Sequence, residues 1–140
     1  MTPDVQDAID EIKQHFRGLN VLVGRDKDGG ACVIVEDIAL GAPYVQPNSW
    51  IGFHITHACP YADVYPHFVR HDLSRADANP LGEAISPGHQ FPQPGVVVGD
   101  ALPSRPAIQI SRRANKREPN SDLETSLLKT LKVLRWLMSR

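Results

Sequence analysis

Two cysteines and six histidines carry the most reactive side chains of this 140-residue chain. Five of them fall close together in the sequence, at His54, His57, Cys59, His67 and His71, and all five are possible zinc ligands. Their spacing disfavours a metal site, because positions 54 and 57 would point to opposite faces of a continuous strand and no Cys-x-x-Cys or His-Glu-x-x-His pattern occurs. We therefore expect no metal and no cofactor, and we keep a cluster of His54, His57, His67 and His71 as an alternative.

A thiol nucleophile is the second chemistry that these residues allow. A reactive cysteine needs solvent access and a neighbour that lowers its pKa. His54, His57 or His67 could serve Cys59 in this way. Free cysteine is nevertheless among the most buried residue types, and Cys32 lies in an apolar run. We expect both to be free, packed thiols and not catalytic residues.

Composition narrows the class of protein. The formal net charge is -1, which argues against a dedicated nucleic-acid binder and against general attraction to anionic membranes. No apolar run approaches the ~20 residues of a membrane span, and the N-terminus begins an acidic amphipathic segment and not a basic signal peptide. Two cysteines in different contexts make no disulfide framework. These features predict one cytoplasmic domain spanning residues 1–140, with no nucleic acid and no membrane as partners.

The first half of the chain predicts a helix followed by antiparallel strands. Apolar residues recur at helical spacing from Val5 to Phe16, with Thr2-Pro3 as the cap and first-turn pair and Gly18 as the stop. Apolar, β-branched runs at 20–24 and 31–40 are joined by a polar, glycine-ending hexapeptide that reads as a hairpin connection. Residues 50–56 predict a third strand and 67–71 a fourth. This order is an α+β pattern.

The second half predicts a long proline-rich loop and a closing helix. Residues 73–106 hold six prolines without a lasting period, longer than an ordinary connection, and residues 107–111 alternate like a short late strand. The basic group Arg112, Arg113, Lys116 and Arg117 reads as a solvated face and not as a nucleic-acid site, although an acidic patch on a protein partner would suit it. Ser121-Asp122-Leu123-Glu124 is a capping box pattern, and leucines at 123, 127, 131 and 134 with Met138 share one helical face.

Two proline motifs carry a family resemblance. Pro43-Tyr44 precedes the third predicted strand, and Pro60 and Tyr65-Pro66 follow it. This ordered set resembles the core of ubiquitin-conjugating (UBC-like) enzymes and their RWD-type relatives, in which a Pro-Tyr turn enters a strand that leaves through a Phe-Pro-x-x-Tyr-Pro-Phe segment. The similarity runs from the first helix to about Arg70. It implies a UBC-like fold with an N-terminal helix, an antiparallel meander, a long loop and a C-terminal helix.

The comparison with this family also implies that the chain lacks the residues that catalyse the family's reaction. The family's nucleophilic cysteine follows the Tyr-Pro pair, whereas both cysteines here precede Tyr65. His89 stands where the family has the histidine of its His-Pro-Asn motif, but Gln90-Phe91 replaces the other two residues. We therefore expect a pseudoenzyme, and we keep an active transferase using Cys59 and His89 as an alternative.

The resemblance further implies the partners and the setting. The expected partner is a ubiquitin-like protein, with an activating or conjugating enzyme of the same pathway as a possible further contact. The compact sequence with short loops is most similar to the bacterial branch of the family, whose pathways are associated with antiviral defence.

Strand periodicity predicts a binding surface. In the run from Cys32 to Val35 both faces are apolar, so something must cover the second face of the sheet. Trp50 and His54 are expected to point outward from the next strand. We predict that Trp50, His54, Val33 and Val35 form the interface for the ubiquitin-like protein. The competing prediction is that residues 73–106 fold back and cover the same face.

Overall fold

The protein is an α+β structure in which a six-stranded antiparallel sheet is covered on one face by two helices. This computed structural model describes residues 1–99, 101–113 and 124–140. The elements in chain order are α1 (Pro3–His15), β1 (Val21–Arg25), β2 (Ala31–Ala39), β3 (Asn48–Ile55), β4 (His67–Arg70), β5 (Ile85–Phe91), β6 (Arg105–Ile110) and α2 (Ser126–Met138). The strand order across the sheet is β1-β2-β3-β4-β6-β5.

Helix α1 forms where the sequence predicts it. The Thr2 side chain caps the helix by accepting a hydrogen bond of 3.2 Å from the Val5 backbone N–H, and Pro3 occupies the first turn. Val5, Ile9 and Ile12 are fully buried against the sheet. The predicted helix and its core face are confirmed.

The meander from β1 to β4 also follows the sequence prediction. Val21 pairs with Val35 and Arg25 with Ala31, so the polar hexapeptide closes a hairpin. β3 then pairs with β2 and β4 with β3, each in antiparallel register. The apolar runs therefore give both the strands and their order, because adjacent runs joined by short turns pair as neighbours.

The predicted loop over residues 73–106 is wrong in part, because it contains strand β5 and the first two residues of β6. β5 is the outer neighbour of β6, with Ile85 opposite Ile110 and Phe91 opposite Arg105, and the ladder is interrupted between Ser86 and His89. Pro87 and Gly88 lie in that interruption. Proline and glycine are tolerated at bulges on edge strands, so the strand forms although its sequence has no strand periodicity.

Helix α2 begins later than the capping-box pattern predicts. Its N-cap is Thr125, whose hydroxyl accepts a hydrogen bond of 3.1 Å from the Leu128 N–H. Glu124 precedes the helix and pairs with Lys132 at 3.2 Å. Residues 121–123 lie outside the described residues, as do Lys116 and Arg117 of the basic group. Among the described residues, no helix is long and apolar enough to cross a membrane.

The sheet has an apolar layer on each face. On the helix face Val33, Val35, Ile51 and Phe53 pack with both helices. On the second face a smaller cluster contains Cys32, Ile34, Phe68, Phe91, Leu102 and Ala107, with Trp50, Val96 and Val97 packed against it. β2 is therefore buried on both sides, which explains its unbroken apolar run.

Candidate binding site on the second sheet face

A small pocket of about 210 Å³ lies on the second sheet face. Five strands line it, through Cys32 of β2, His54 of β3, Phe68 of β4, Phe91 of β5 and Gln109 of β6, and connecting chain completes it with Tyr65, Pro66, Gln93 and Val96. The pocket thus combines an aromatic floor with several polar groups, which is the usual composition of a ligand or anchor pocket.

The cover of this face comes from the same chain. Residues 91–99, here called the roof segment, begin with the last residue of β5 and cross the sheet, and the Val98 N–H donates a hydrogen bond of 2.8 Å to the Arg25 carbonyl. Phe91 stacks on Phe68 with ring centroids 4.8 Å apart. Strand periodicity allowed two covers for this face, a partner protein or the folded-back segment 73–106. The roof segment is part of the second.

A histidine–aspartate pair stands at one end of the pocket. His54 Nε2 lies 2.6 Å from Asp26 Oδ2, and the other carboxylate oxygen accepts 2.8 Å hydrogen bonds from the backbone N–H groups of Asp28 and Gly30. Burial acts to raise the pKa of Asp26, but these hydrogen bonds outweigh it and hold the pKa below its usual value. The ionised carboxylate accepts only, so Nε2 carries the hydrogen and Nδ1 is the imidazole's second polar atom.

Gly30 allows this pair to form. A Cβ at position 30 would lie 2.6 Å from Asp26 Oδ2 and would also collide with the Ile55 carbonyl oxygen. Only glycine permits so close an approach of the hairpin to the end of β3. The sequence places this glycine in a turn, and no local pattern connects it to Asp26 or His54.

Cys32, His54 and Asp26 are the residue types of a Cys-His-Asp catalytic triad, but Cys32 does not have the properties of a nucleophile. It lies directly opposite His54 in the β2–β3 register, but it is 1% exposed. Burial raises the pKa of its thiol to about 12, and the negative charge of Asp26 adds to the effect. A thiol in this environment stays protonated and is a poor nucleophile. The prediction that Cys32 is a packing residue is consistent with this placement.

Trp50 lies on the second face, as predicted, and contacts a polar cleft. It is half-buried, stacks on Phe91 at a centroid distance of 6.4 Å and lies 5.1 Å from the Arg105 guanidinium. Arg105 is also paired with Glu36 at 2.8 Å. Contacts within the chain therefore cover part of the Trp50 indole, and its exposed part is available to a partner.

Val33 and Val35 do not belong with Trp50 and His54. Both valines are 0% exposed and lie under the helices, whereas Cys32 and Ile34 share the second face with Trp50. Side chains alternate along a strand, so the four predicted interface residues divide between opposite faces. This corrects the predicted surface.

Cys59 and His89 lie on different layers. Cys59 packs against the helix-face core, with its Sγ 3.9 Å from the Asp4 carbonyl oxygen. His89 is in β5, where it contacts Phe68 of the second face and approaches the Ser86 hydroxyl at 3.2 Å. The structure therefore does not bring the two residues of the alternative active site together.

The histidines of the predicted alternative metal cluster are also dispersed. His54 is on the second face, His67 is buried on the helix face, and His57 and His71 are exposed. Within residues 1–99, 101–113 and 124–140, no group of three or more His, Cys, Asp or Glu side chains is placed to hold a metal ion.

A buried polar network under α2 was missed by the sequence analysis. His67 is fully buried, and its Nε2 lies 3.0 Å from the Thr130 hydroxyl. Beside it the Lys129 ammonium donates to Asp63 at 2.7 Å and to the Val64 carbonyl at 3.2 Å. Burial lowers the pKa of His67 to about 3, with the charge of Lys129 acting in the same direction and Asp63 opposing it. Helical spacing placed Lys129 and Thr130 on α2, but it could not show their shared partner.

The motif residues Pro43, Tyr44, Pro60, Tyr65 and Pro66 have separate positions. The Tyr44 hydroxyl is buried and donates a 2.7 Å hydrogen bond to the Leu137 carbonyl near the end of α2. Pro60 follows β3, and Tyr65 and Pro66 line the pocket.

Searches against protein families, curated proteins and solved structures found no match to this chain.

Proposed function

We propose that this chain is a catalytically inactive UBC-like domain that binds a ubiquitin-like protein in a conjugation pathway, of the bacterial, defence-associated kind. The observation that carries the inactive assignment is the state of the thiols. Cys32 is sealed between the sheet and the roof segment, and Cys59 lies on the opposite layer from His89. A buried thiol lacks the access that a nucleophile needs, and the separation of Cys59 from His89 leaves that histidine out of reach of the Cys59 thiol.

The order of elements supports the UBC-like assignment. A capped N-terminal helix precedes a four-stranded antiparallel meander, Pro43-Tyr44 comes before β3, and Pro60 and Tyr65-Pro66 lie between β3 and β4. A C-terminal helix then packs on the sheet. Tyr44 is joined to this helix by the hydrogen bond from its hydroxyl to the Leu137 carbonyl. These are the features on which the resemblance rests. Strands β5 and β6 extend the sheet beyond them.

The pocket supports a binding role. The His54 side chain is 34% exposed beside an aromatic floor, and Trp50 presents its edge nearby. A pocket of this size accepts one anchoring side chain of a protein partner, and such anchors often dominate binding energy. We assign the contact with the ubiquitin-like protein to His54 and Trp50, without Val33 and Val35.

Calorimetry tests the binding role. Purified ubiquitin-like proteins are titrated into the wild-type chain and into Trp50→Ala and His54→Ala. Each substitution is expected to weaken binding by about 1–3 kcal/mol if it removes a hot spot. His57→Ala, an exposed histidine off this face, is the matched control. Because Trp50 also packs on Phe91, circular dichroism must show that its variant is folded. Unchanged affinity in both folded variants would remove this surface from the proposal.

Intact-mass analysis tests the inactive assignment. The chain is incubated with a ubiquitin-like protein, its activating enzyme and ATP. We expect no covalent adduct on wild type, Cys32→Ala or Cys59→Ala. The alternative, an active conjugating enzyme, rests on the partial exposure of Cys59. An oxyester trapped on Cys59→Ser would establish that alternative.

A further inference from the structure

Six arginines of the described residues contact a carboxylate or an aromatic ring, and Arg105 contacts both. Arg70, Arg75 and Arg105 each pair with a carboxylate at 2.5–2.9 Å, on Asp72, Asp77 and Glu36 respectively. Arg112, Arg113 and Arg140 instead lie against aromatic rings. The contacts that the structure gives for the guanidinium groups of these last three arginines are with rings and, for Arg140, with the Leu81 carbonyl.

The three guanidinium groups that contact rings follow the ends of two elements. Arg112 and Arg113 follow β6, and Arg140 follows α2. Arg112 and Arg140 lie 4.7 and 4.5 Å from the centroid of the same indole, that of Trp136. Arg113 lies 4.0 Å from the ring of Tyr65. Arg140 also donates to the Leu81 carbonyl, which holds the last residue against the loop before β5. We call Arg112, Arg113, Arg140 and Trp136 the arginine surface.

Stacking leaves a guanidinium able to bind a carboxylate. A ring over the flat face of the group leaves the five N–H donors in its plane, and in Arg140 one of these donors is already used by the Leu81 carbonyl. The ring also restricts the side chain before any ligand arrives, which reduces the entropy lost on binding. Such planar, oriented donors match the two oxygens of a carboxylate in bidentate pairs.

We propose that the arginine surface binds an acidic peptide segment of a partner protein. Arg112 and Arg140, next to one indole, would engage neighbouring carboxylates, with Arg113 next in line. Binding to nucleic acid is less favoured, because it uses rows of cations along a phosphate backbone and the whole chain has a net charge of -1. The arginine surface adjoins the pocket on the second face, because the Tyr65 ring that Arg113 contacts also lines that pocket.

Fluorescence anisotropy with a labelled glutamate-rich peptide tests the proposal. The wild-type chain is expected to bind the peptide and not a glutamine-rich peptide of equal length. Arg112→Gln and Arg140→Gln should each weaken binding by about ten- to hundredfold, as loss of a charge-assisted hydrogen bond does. Arg17→Gln is the matched control, since Arg17 is exposed in the turn after α1 and should leave the affinity unchanged.

A second variant separates ring support from simple charge. Trp136→Leu keeps an apolar side chain on α2 and every positive charge, and it should also weaken binding if the indole orients the guanidinium groups. Thermal unfolding of each variant shows whether it is folded. The proposal is overturned if the folded Arg112 and Arg140 variants bind like wild type, if the glutamine-rich peptide binds equally, or if single-stranded DNA binds more tightly than the glutamate-rich peptide.

Discussion

At the scale of single residues, Asp26 joins the β1–β2 turn to β3. One oxygen accepts from the Asp28 and Gly30 backbone N–H groups and the other contacts His54 of β3. The hairpin turn and the end of β3 are thus held by one carboxylate whose side chain is 7% exposed. Its loss would leave two backbone donors and an imidazole N–H without their acceptor.

We expect Asp26→Ala to lower the free energy of unfolding by about 2–3 kcal/mol, because hydrogen bonds to a charged group are lost together. Urea unfolding measures the change. Asp28→Ala, at an exposed position of the same turn, should change stability by less than about 0.5 kcal/mol. The effects of Asp26→Ala and His54→Ala should not add, because the two side chains are in contact. Strict additivity would contradict the coupling.

His67 makes stability depend on pH in a defined direction. Burial lowers its folded-state pKa to about 3, whereas the unfolded chain has the ordinary value of about 6.5. The unfolded state therefore binds a proton first as the pH falls. The stabilisation from this residue is complete above about pH 6.5 and decreases by up to about 1.4 kcal/mol per pH unit between that value and the folded pKa.

His67→Gln should flatten this dependence, since glutamine can meet Thr130 but does not titrate. Unfolding free energies at about pH 7, 6 and 5 give the slope. The groups that face His67 are Lys129, Asp63, Thr130 and Phe53, and all remain in the variant. His57→Gln, at an exposed histidine, should keep the wild-type slope. An equal slope in wild type and His67→Gln would show that another group is responsible.

At the scale of elements, the roof segment determines what the second face can bind. Phe91 is 3% exposed and meets both Phe68 and Trp50. A Cβ on Gly52 would approach its ring to 2.5 Å, so β3 provides a gap that the ring fills. The roof is held mainly by this one aromatic residue, with Val96, Val97 and Leu102 packed beside it.

Phe91→Ala should lower the free energy of unfolding by about 3–4 kcal/mol, as the loss of a buried aromatic side chain does. It should also expose the apolar second face and increase the binding of a hydrophobic dye. Val98→Ala is the control within the same segment, because its side chain is 53% exposed and its backbone hydrogen bond to Arg25 is retained. A Phe91→Ala variant as stable as Val98→Ala would show that the roof does not depend on this ring.

At the scale of the whole molecule, the two apolar layers enclose β2 and its thiol. In Cys59→Ala, where Cys32 is the remaining cysteine, labelling by a maleimide should be slow and should follow global unfolding as urea is added, because opening must expose the sheet. In Cys32→Ala, the half-exposed Cys59 should react in the native state. Rapid native labelling of Cys32 would contradict its burial between sheet and roof.

The sequence alone determined the helices, the meander and its order. Apolar periodicity placed α1 and the four strands β1 to β4, because burial of one helix stripe and of adjacent strand runs leaves few other arrangements. β5 was not predictable, since Pro87 and Gly88 have no strand propensity and only pairing with β6 makes the segment a strand. The start of α2 at Ser126 was likewise not predicted, because the capping-box pattern at 121–124 indicates an earlier N-cap than Thr125.

Only the tertiary structure decided the site. Alternation showed that Val33 and Val35 share a face, but either face of a fully apolar strand can meet the helices, so the choice rested on packing. The contacts of the site join residues that are distant in the sequence. His54 and Asp26 are 28 positions apart, His67 and Thr130 are 63 apart, and Arg112 and Trp136 are 24 apart. No local pattern in the sequence encodes such distances, because they are set by how the sheet, the roof and α2 pack together.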